Sequence, residues 1–326
     1  MMVILRFFLA GFLLPMIIGC TLAATRGEYF SYPLLLDAER PTLKHVGKLE
    51  FRGAVEIRGA RLGGLSGLWV ALDGRQFVAI SDLGRLVSGL LKYDTAENLV
   101  GIDQVTVQPV LDINGLPVKG RRHDSEEIAR SCTGSWLISF EQEHRLANFP
   151  TLKALPEMLP IPLGLADAPA NGGIEAMTVL PDCRVILFEE GDDDGQTTRR
   201  GWITPWPPVR ASDWQTLSLR VPALFRPTSA TASPVGLILL ERQITLLGGW
   251  KARIVRVPDT ELLAGAEVIG EELARLEMPL LVDNFEGIAA RPGPHGETLI
   301  YLISDNNVSP LQRTILMLLA LPGNDK

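Results

Sequence analysis

The sequence predicts an all-β protein, a β-propeller with five blades by repeat count and six still open, closed by strands from the two chain ends. Three observations predict it. Short apolar or alternating runs are broken throughout by Gly, Pro and Asp turns. One hairpin motif recurs at intervals of about 50 to 60 residues, the length of four strands and their turns. The last apolar run, Thr314 to Leu321, leaves its repeat short, and Lys48 to Ile57 can complete it from the other terminus.

The chain has 326 residues, 46% hydrophobic and 21% charged, a globular composition. Its net charge is −7, and apart from Arg121-Arg122 and Arg199-Arg200 the basic residues are scattered. No positive stripe can track a phosphodiester backbone, so nucleic acid is excluded as an expected partner.

The N-terminus reads as an export signal: Arg6, an uncharged apolar run from Phe7 to Gly19, then Cys20. The run has the length of a secretory h-region and falls short of the roughly 20 residues a membrane span needs. Ile17-Ile18-Gly19-Cys20 resembles a bacterial lipobox, with cleavage before Cys20 and lipidation of its thiol; conventional cleavage after Ala23 or Ala24 is the alternative. Thr21 is not the aspartate of inner-membrane retention, which favours the outer membrane. The expected organisation is a signal peptide over 1–19, a lipidated tether over 20–44, the propeller over 45–322 and a tail over 323–326. Such a protein faces the periplasm and meets the membrane only through its anchor, and it is expected to be a monomer.

The runs follow in order: Gln76 to Ile80, Trp136 to Phe140, Arg184 to Phe188, Gly236 to Leu240 and Leu299 to Ile303. Helical periodicity is scarce, the best stretches being Asp259 to Leu276 and a short one near Leu152. In the motif, Ser66-Gly67-Leu68 leads through Asp73-Gly74 to Ile80-Ser81-Asp82. Glu126-Glu127-Ile128 leads through Thr133-Gly134 to Phe140-Glu141, and Glu175-Ala176-Met177 through Pro181-Asp182 to Glu189-Glu190. Glu286-Gly287-Ile288 leads through Pro292-Gly293 to Ser304-Asp305. A degraded copy ends in Glu241-Arg242 and lacks an acid at its start near Pro227. A β-sandwich with chance similarity is the competing reading.

The ends of a hairpin are neighbours, and the first strand of a propeller blade lines the central channel. The motif therefore predicts a ring of Asp82, Glu126, Glu141, Glu175, Glu190, Glu286 and Asp305 at one mouth. Massed carboxylates repel one another, and dehydrating each costs several kcal/mol unless a cation or donor compensates. Ca²⁺, which takes roughly 6 to 8 oxygens, is one answer. Internal arginines are another, with Arg242, Arg145, Arg291 and Arg313 near motif positions. Salt bridging between blades is the purely structural alternative.

Other features rank lower. Glu189 to Asp194 reads as a solvated acidic loop. Ser66, in Gly64-Leu65-Ser66-Gly67, lacks the strand-to-helix context of an esterase nucleophile. His123 and His144 flank the second hairpin as surface histidines or as acid, base or ligand. Cys132 and Cys183 lie at hairpin turns opposite the carboxylates in consecutive repeats, so they form either a disulfide between blades or two free thiols.

Asp124-Ser125-Glu126-Glu127-Ile128, Trp136 to Glu141 with His144-Arg145, Asn284 to Ile288, and Ser304-Asp305-Asn306-Asn307 with Gln312-Arg313 together resemble the phytase-like family of exported bacterial proteins, over roughly Leu49 to Leu321. The resemblance implies a propeller and hydrolysis of phosphate or other esters. The fourth repeat departs from the pattern, with Thr228-Ser229-Ala230 where an acid is expected. The resulting expectation is a Ca²⁺-dependent hydrolase of a small ester or phosphate ester. Glu126, Glu175, Glu286 and Asp82 would hold metal. Glu141, Glu190 and Asp305 would be ligand or base, and Arg145, Arg313, His144 and Asn306 would hold substrate. The alternative is a non-catalytic envelope lipoprotein that binds a ligand or protein on its propeller rim.

Overall fold

The computed structural model describes residues 29–34, 45–59, 61–191 and 195–323. The predicted signal peptide, Cys20 and most of the tether lie outside these residues. Among them no helix is long and apolar enough to cross a membrane.

Strands β1 (Tyr29–Pro33), β2 (His45–Val46) and β3 (Leu49–Gly59) precede the blades. Blade 1 is β4 (Leu65–Val70), β5 (Gln76–Ser81), β6 (Arg85–Tyr93) and β7 (Leu99–Pro109). Blade 2 is β8 (Ser125–Arg130), β9 (Trp136–Phe140), β10 (Arg145–Phe149) and β11 (Glu157–Leu159). Blade 3 is β12 (Ile174–Val179), β13 (Arg184–Glu189), β14 (Thr198–Pro205) and β15 (Gln215–Arg220). Blade 4 is β16 (Arg226–Ser233), β17 (Gly236–Thr245) and β18 (Gly249–Val257), and it is completed by β20, which follows the short strand β19 (Glu267–Ile269) and spans Glu271–Leu276. Blade 5 is β21 (Phe285–Pro292), β22 (Thr298–Ser304) and β23 (Thr314–Leu321).

Closure follows the expected route. The N-terminal β3 pairs antiparallel with β23, Thr314 opposite Ile57 and Ala320 opposite Glu50. Part of the predicted tether joins this sheet, because β1 pairs with the outer edge of β3 from Tyr29 opposite Gly59 to Pro33 opposite Val55.

The blades number five, and five apolar clusters separate them, one between each adjacent pair. Each fully buried Leu, Ile or Val contributes about 1.5–3 kcal/mol. This stacking explains why the inner strands read as unbroken apolar runs. β9 (Trp136–Phe140) is buried at every residue because both faces of its blade are covered, whereas the outer β15 alternates.

The helical periodicity over Asp259 to Leu276 is not realised. Gly265, at φ +77°, and Gly270 break the segment. A 3₁₀ turn at Asp259–Glu261 is followed by β19, parallel to β15 of blade 3, and by β20 on β18 of blade 4. The stretch ties two blades together by strand pairing.

At the turns of the first hairpins, Gly74, Gly134 and Cys183 hold the same left-handed position, with φ of 71°, 87° and 66°. Each donates its N–H to the carbonyl three residues earlier. Cys183 is bonded to Cys132 across blades 2 and 3, with Cα atoms 5.6 Å apart.

A carboxylate-lined mouth as candidate active site

In all five blades the ladder between the first two strands slips by one residue at the same place: Ser66, Glu126, Glu175, Thr228 and Glu286. Such a bulge re-aims a side chain. It sets each first residue beside the residue that ends the hairpin. The repeat shows in the backbone hydrogen bonds from Asp82 N to Gly64 O (2.8 Å), Glu141 N to Asp124 O (2.8 Å), Glu190 N to Gly173 O (2.9 Å) and Asp305 N to Asn284 O (2.9 Å).

The predicted acids converge. Glu126, Glu141, Glu175, Glu190, Glu286 and Asp305 are only 4–7% exposed. Burial pushes Glu126 and Glu175 well above the usual carboxylate range, and each is pushed further by acids of other blades. Burial likewise raises Glu141 and Glu286 to about 8 and Asp82 to about 7, with Asp305 the next cause for Asp82. Asp305 is also raised by burial, while N–H groups of Asn307, Gly64 and Leu65 hold its carboxylate in place. The acidic run at Glu189 is not a solvated loop at its start. Glu189 is buried and paired with Arg200 at 2.6 Å, and Glu190 is buried in the mouth; residues 192–194 lie outside the described residues.

The ring is broken at blade 4. There Thr228 takes the place of the first acid, and Arg242 takes the place of the last. Arg242 donates to Glu190 (2.9 Å), to Asn284 Oδ1 (2.8 Å) and to Glu286. Arg226, opposite Arg242 in register, reaches Glu190 at 3.4 Å and Gly191 O at 2.9 Å. Burial works against the charge of Arg242, but Glu286, Glu190 and Glu175 more than reverse it and hold its pKa above the ordinary guanidinium value.

One residue past the bulge, the ring reads Gly67, Glu127, Ala176, Ser229 and Gly287. Four of these are small because the inner strands crowd the axis; a Cβ on Gly287 would lie 2.4 Å from Ser66 O. Glu127 fills the space that remains. It accepts hydrogen bonds from Ser229 Oγ, Ala230 N (3.2 Å) and Ile128 N (2.9 Å), spanning from blade 2 to blade 4. The sequence motif contained Glu127 without distinguishing it from its neighbour. The signal was a lone acid in a column of small residues.

Asp124 was also missed as a site residue. Oxygens of Asp124, Glu126 and Glu141 lie within 4.8 Å of one another. Glu141 accepts from Gly173 N. His144 donates from Nε2 to Ala168 O at 3.2 Å, and its buried Nδ1 has no partner. A Cβ on Gly173 would lie 2.5 Å from His144 Nδ1 and 3.3 Å from Glu141 Oε1, so the glycine leaves space between them. Asp82 Oδ1 is similarly buried without a partner.

The predicted substrate arginines are placed elsewhere. Arg145 faces Phe140 in the β9–β10 register, so it lies on the opposite side of the strand from Glu141. Its guanidinium stacks 3.8 Å from the ring centroid and donates to Glu143 O (3.0 Å) and Arg122 O. Arg313 pairs with Asp283 at 3.4 Å, and with Asn306 it lines a separate surface cavity beside the β22–β23 loop. Arg291 is engaged with Tyr301 and Pro292 O, away from the mouth.

Fold and site define a five-bladed propeller with a carboxylate mouth broken by one arginine. The phytase-like family, described as esterase-like activity of phytase, matches residues 60–308, and the chain belongs to it. Solved propellers are similar at a distance. A gluconolactonase from Xanthomonas campestris is 12% identical over 92% of this chain and 100% of that one, with a TM-score of 0.45. An aldose sugar dehydrogenase from Streptomyces coelicolor, with PQQ bound, is 12% identical over 90% and 98%, with a TM-score of 0.41. A virginiamycin B lyase from Staphylococcus aureus is 11% identical over 89% and 99%, with a TM-score of 0.42. No curated protein sequence matches the chain.

Proposed function

We propose that the chain is an exported, metal-dependent hydrolase of phosphate or other esters, working through the carboxylate mouth. The observation that carries this reading is the triad Asp124, Glu126 and Glu141. Ligand oxygens about 2.4 Å from a Ca²⁺ ion are at most about 4.8 Å apart, and oxygens of these three residues lie within that limit. The donor set fits a hard cation. The charge of Glu126 is opposed by burial and then by Glu141 and Asp124, and that of Glu175 by burial and then by Glu126 and Glu141. Asp124, Glu126 and Glu141 would hold the ion, with Glu175 beside them. Bound there, Ca²⁺ would lower the pKa of an attacking water and polarise the ester oxygen.

The chain's own groups orient the reaction. His144, with its proton on Nε2 toward Ala168 O, presents Nδ1 as an acceptor that can take a proton. Arg226 and Arg242, in place of Arg145 and Arg313, are the cations near enough to meet a phosphate. Family membership supports ester hydrolysis. The Cys132–Cys183 disulfide fits an oxidising compartment, as the lipoprotein signal at Cys20 and a periplasm-facing position require.

A second reading is favoured by Arg242, which already neutralises Glu190 and Glu286: the acids brace the propeller and the protein binds without catalysis. Release of p-nitrophenol from its phosphate and acetate esters, with Ca²⁺ or EDTA, separates the two. The hydrolase reading expects turnover that EDTA removes and that Glu175→Gln lowers at least 100-fold. No turnover of either ester and no shift of Tm by EDTA would overturn it in favour of the binding module.

A further inference from the structure

Separate from the mouth, a cleft of about 270 Å³ lies between blade 2 and the segment joining β7 to β8. Its floor is Phe140, Ala147 and Phe149, all buried. Its rim is apolar but exposed: Ile113 is 55% exposed, Leu116 61% and Met158 40%. Large side chains left in water around a pit with an aromatic floor mark a surface that gains by covering.

The outer wall is ordered. Leu111 bridges to Pro117, Val118 N donates to Val110 O at 3.0 Å, and Asp112 accepts from the N–H groups of Asn114 (2.8 Å) and Leu116 (2.9 Å). The one acid lining the cleft is thus occupied by backbone. Opposite it the charge is positive, with Lys119, Arg122 and Arg145. Arg122 pairs with Glu143 at 3.0 Å; among the described residues neither Lys119 nor Arg145 makes an ion pair. Arg145 has used two of its five N–H groups, on the carbonyls of Glu143 and Arg122, and its plane is fixed on Phe140. In a chain of net charge −7 such a site selects an anion.

We infer that this cleft binds a small amphiphilic carboxylate, its alkyl or aryl body on Phe140, Phe149 and Met158 and its carboxylate on Arg145 and Lys119. The volume suits a short chain or single ring. Arg145 supplies paired donors for the head group, and the apolar rim covers the tail. The site needs neither metal nor the mouth acids.

Isothermal titration of the full chain with octanoate tests this, with octylamine and octanol as probes of charge. Saturable one-to-one binding of octanoate is expected, at least tenfold tighter than either comparator. Arg145→Gln and the exposed Ile113→Asp should each weaken it at least tenfold, Lys119→Glu replacing the former if it does not fold. Absence of octanoate binding, equal binding of octylamine, or undiminished binding by Ile113→Asp would overturn the assignment.

Discussion

Arg242 stands in the fourth blade where Glu190 stands in the third, and the two are joined, Arg242 Nη2 donating to Glu190 Oε1 at 2.9 Å. A position that is acidic in the other four repeats, as Asp82, Glu141, Glu190 and Asp305, is cationic in this one. The substitution supplies the buried counter-charge that lets Glu190 and Glu286 remain close to each other.

Arg242→Met should therefore destabilise the protein by about 3–5 kcal/mol at pH 7, the cost of leaving buried charges unpaired. Urea denaturation measures it. The deficit should grow between pH 7 and 9, as Glu286, raised to about 8 by burial, loses its proton in the folded state beside Arg242. A loss below about 1 kcal/mol at pH 7 would show that Glu190 and Glu286 need no counter-charge.

Metal-free protein should melt lower as pH rises. Burial raises Glu141 and Glu286 to about 8 and Asp82 to about 7, so the folded state holds more protons than the unfolded chain above about pH 4. Their contribution is complete below that pH and lost through pH 7 to 8. In EDTA, Tm should fall between pH 5 and 8.5. Ca²⁺, which needs the deprotonated acids, should raise Tm most at the upper end. Glu126→Gln should melt above the parent in EDTA and gain nothing from Ca²⁺. A Tm that climbs with pH in EDTA would contradict the picture.

Glu127→Ala should cost about 2–4 kcal/mol, since it opens a cavity at the axis and strands the donors of Ser229 and Ala230. Chemical denaturation reads this directly. Unchanged stability would mean that the axis is held by the blade clusters alone.

Removing the disulfide with Cys132→Ala and Cys183→Ala should lower stability by about 2–4 kcal/mol for a sequence separation of 51 residues. In the same Cys132→Ala background, Cys183→Gly should recover about 1 kcal/mol. Residue 183 lies at φ 66°, where Gly74 and Gly134 stand in the neighbouring turns. Equal denaturation midpoints for the two variants at position 183 would refute the strain.

Much of the fold was legible because propeller blades repeat. The hairpins of Gln76, Trp136, Arg184, Gly236 and Leu299 were visible as apolar runs, for burial on both faces removes polar alternation. Closure was legible because Thr314 to Leu321 leaves its repeat a strand short and the apolar run Lys48 to Ile57 stands outside the first hairpin motif, free to complete it. The segment over Asp259 to Leu276 was misread, because its apolar spacing suits a helix and its two strands take partners in different blades.

In the site, Glu126, Glu175 and Glu286 were readable from the motif, whereas Arg145 and Arg313 were drawn in by proximity along the chain alone. Strand alternation turned Arg145 to Phe140, and a salt bridge took Arg313 to Asp283.

The sequence alone determined the repeat, the class of fold and which residue types face the mouth, because these follow from periodicity and from the geometry of a single hairpin. Only the tertiary structure decided that the ring is broken by Arg242, that Glu127 fills the axis, and that Asp124 joins Glu126 and Glu141. The first two are relations across blades, over separations such as the 102 residues between Glu127 and Ser229. They depend on how five sheets close around an axis, which no local pattern encodes.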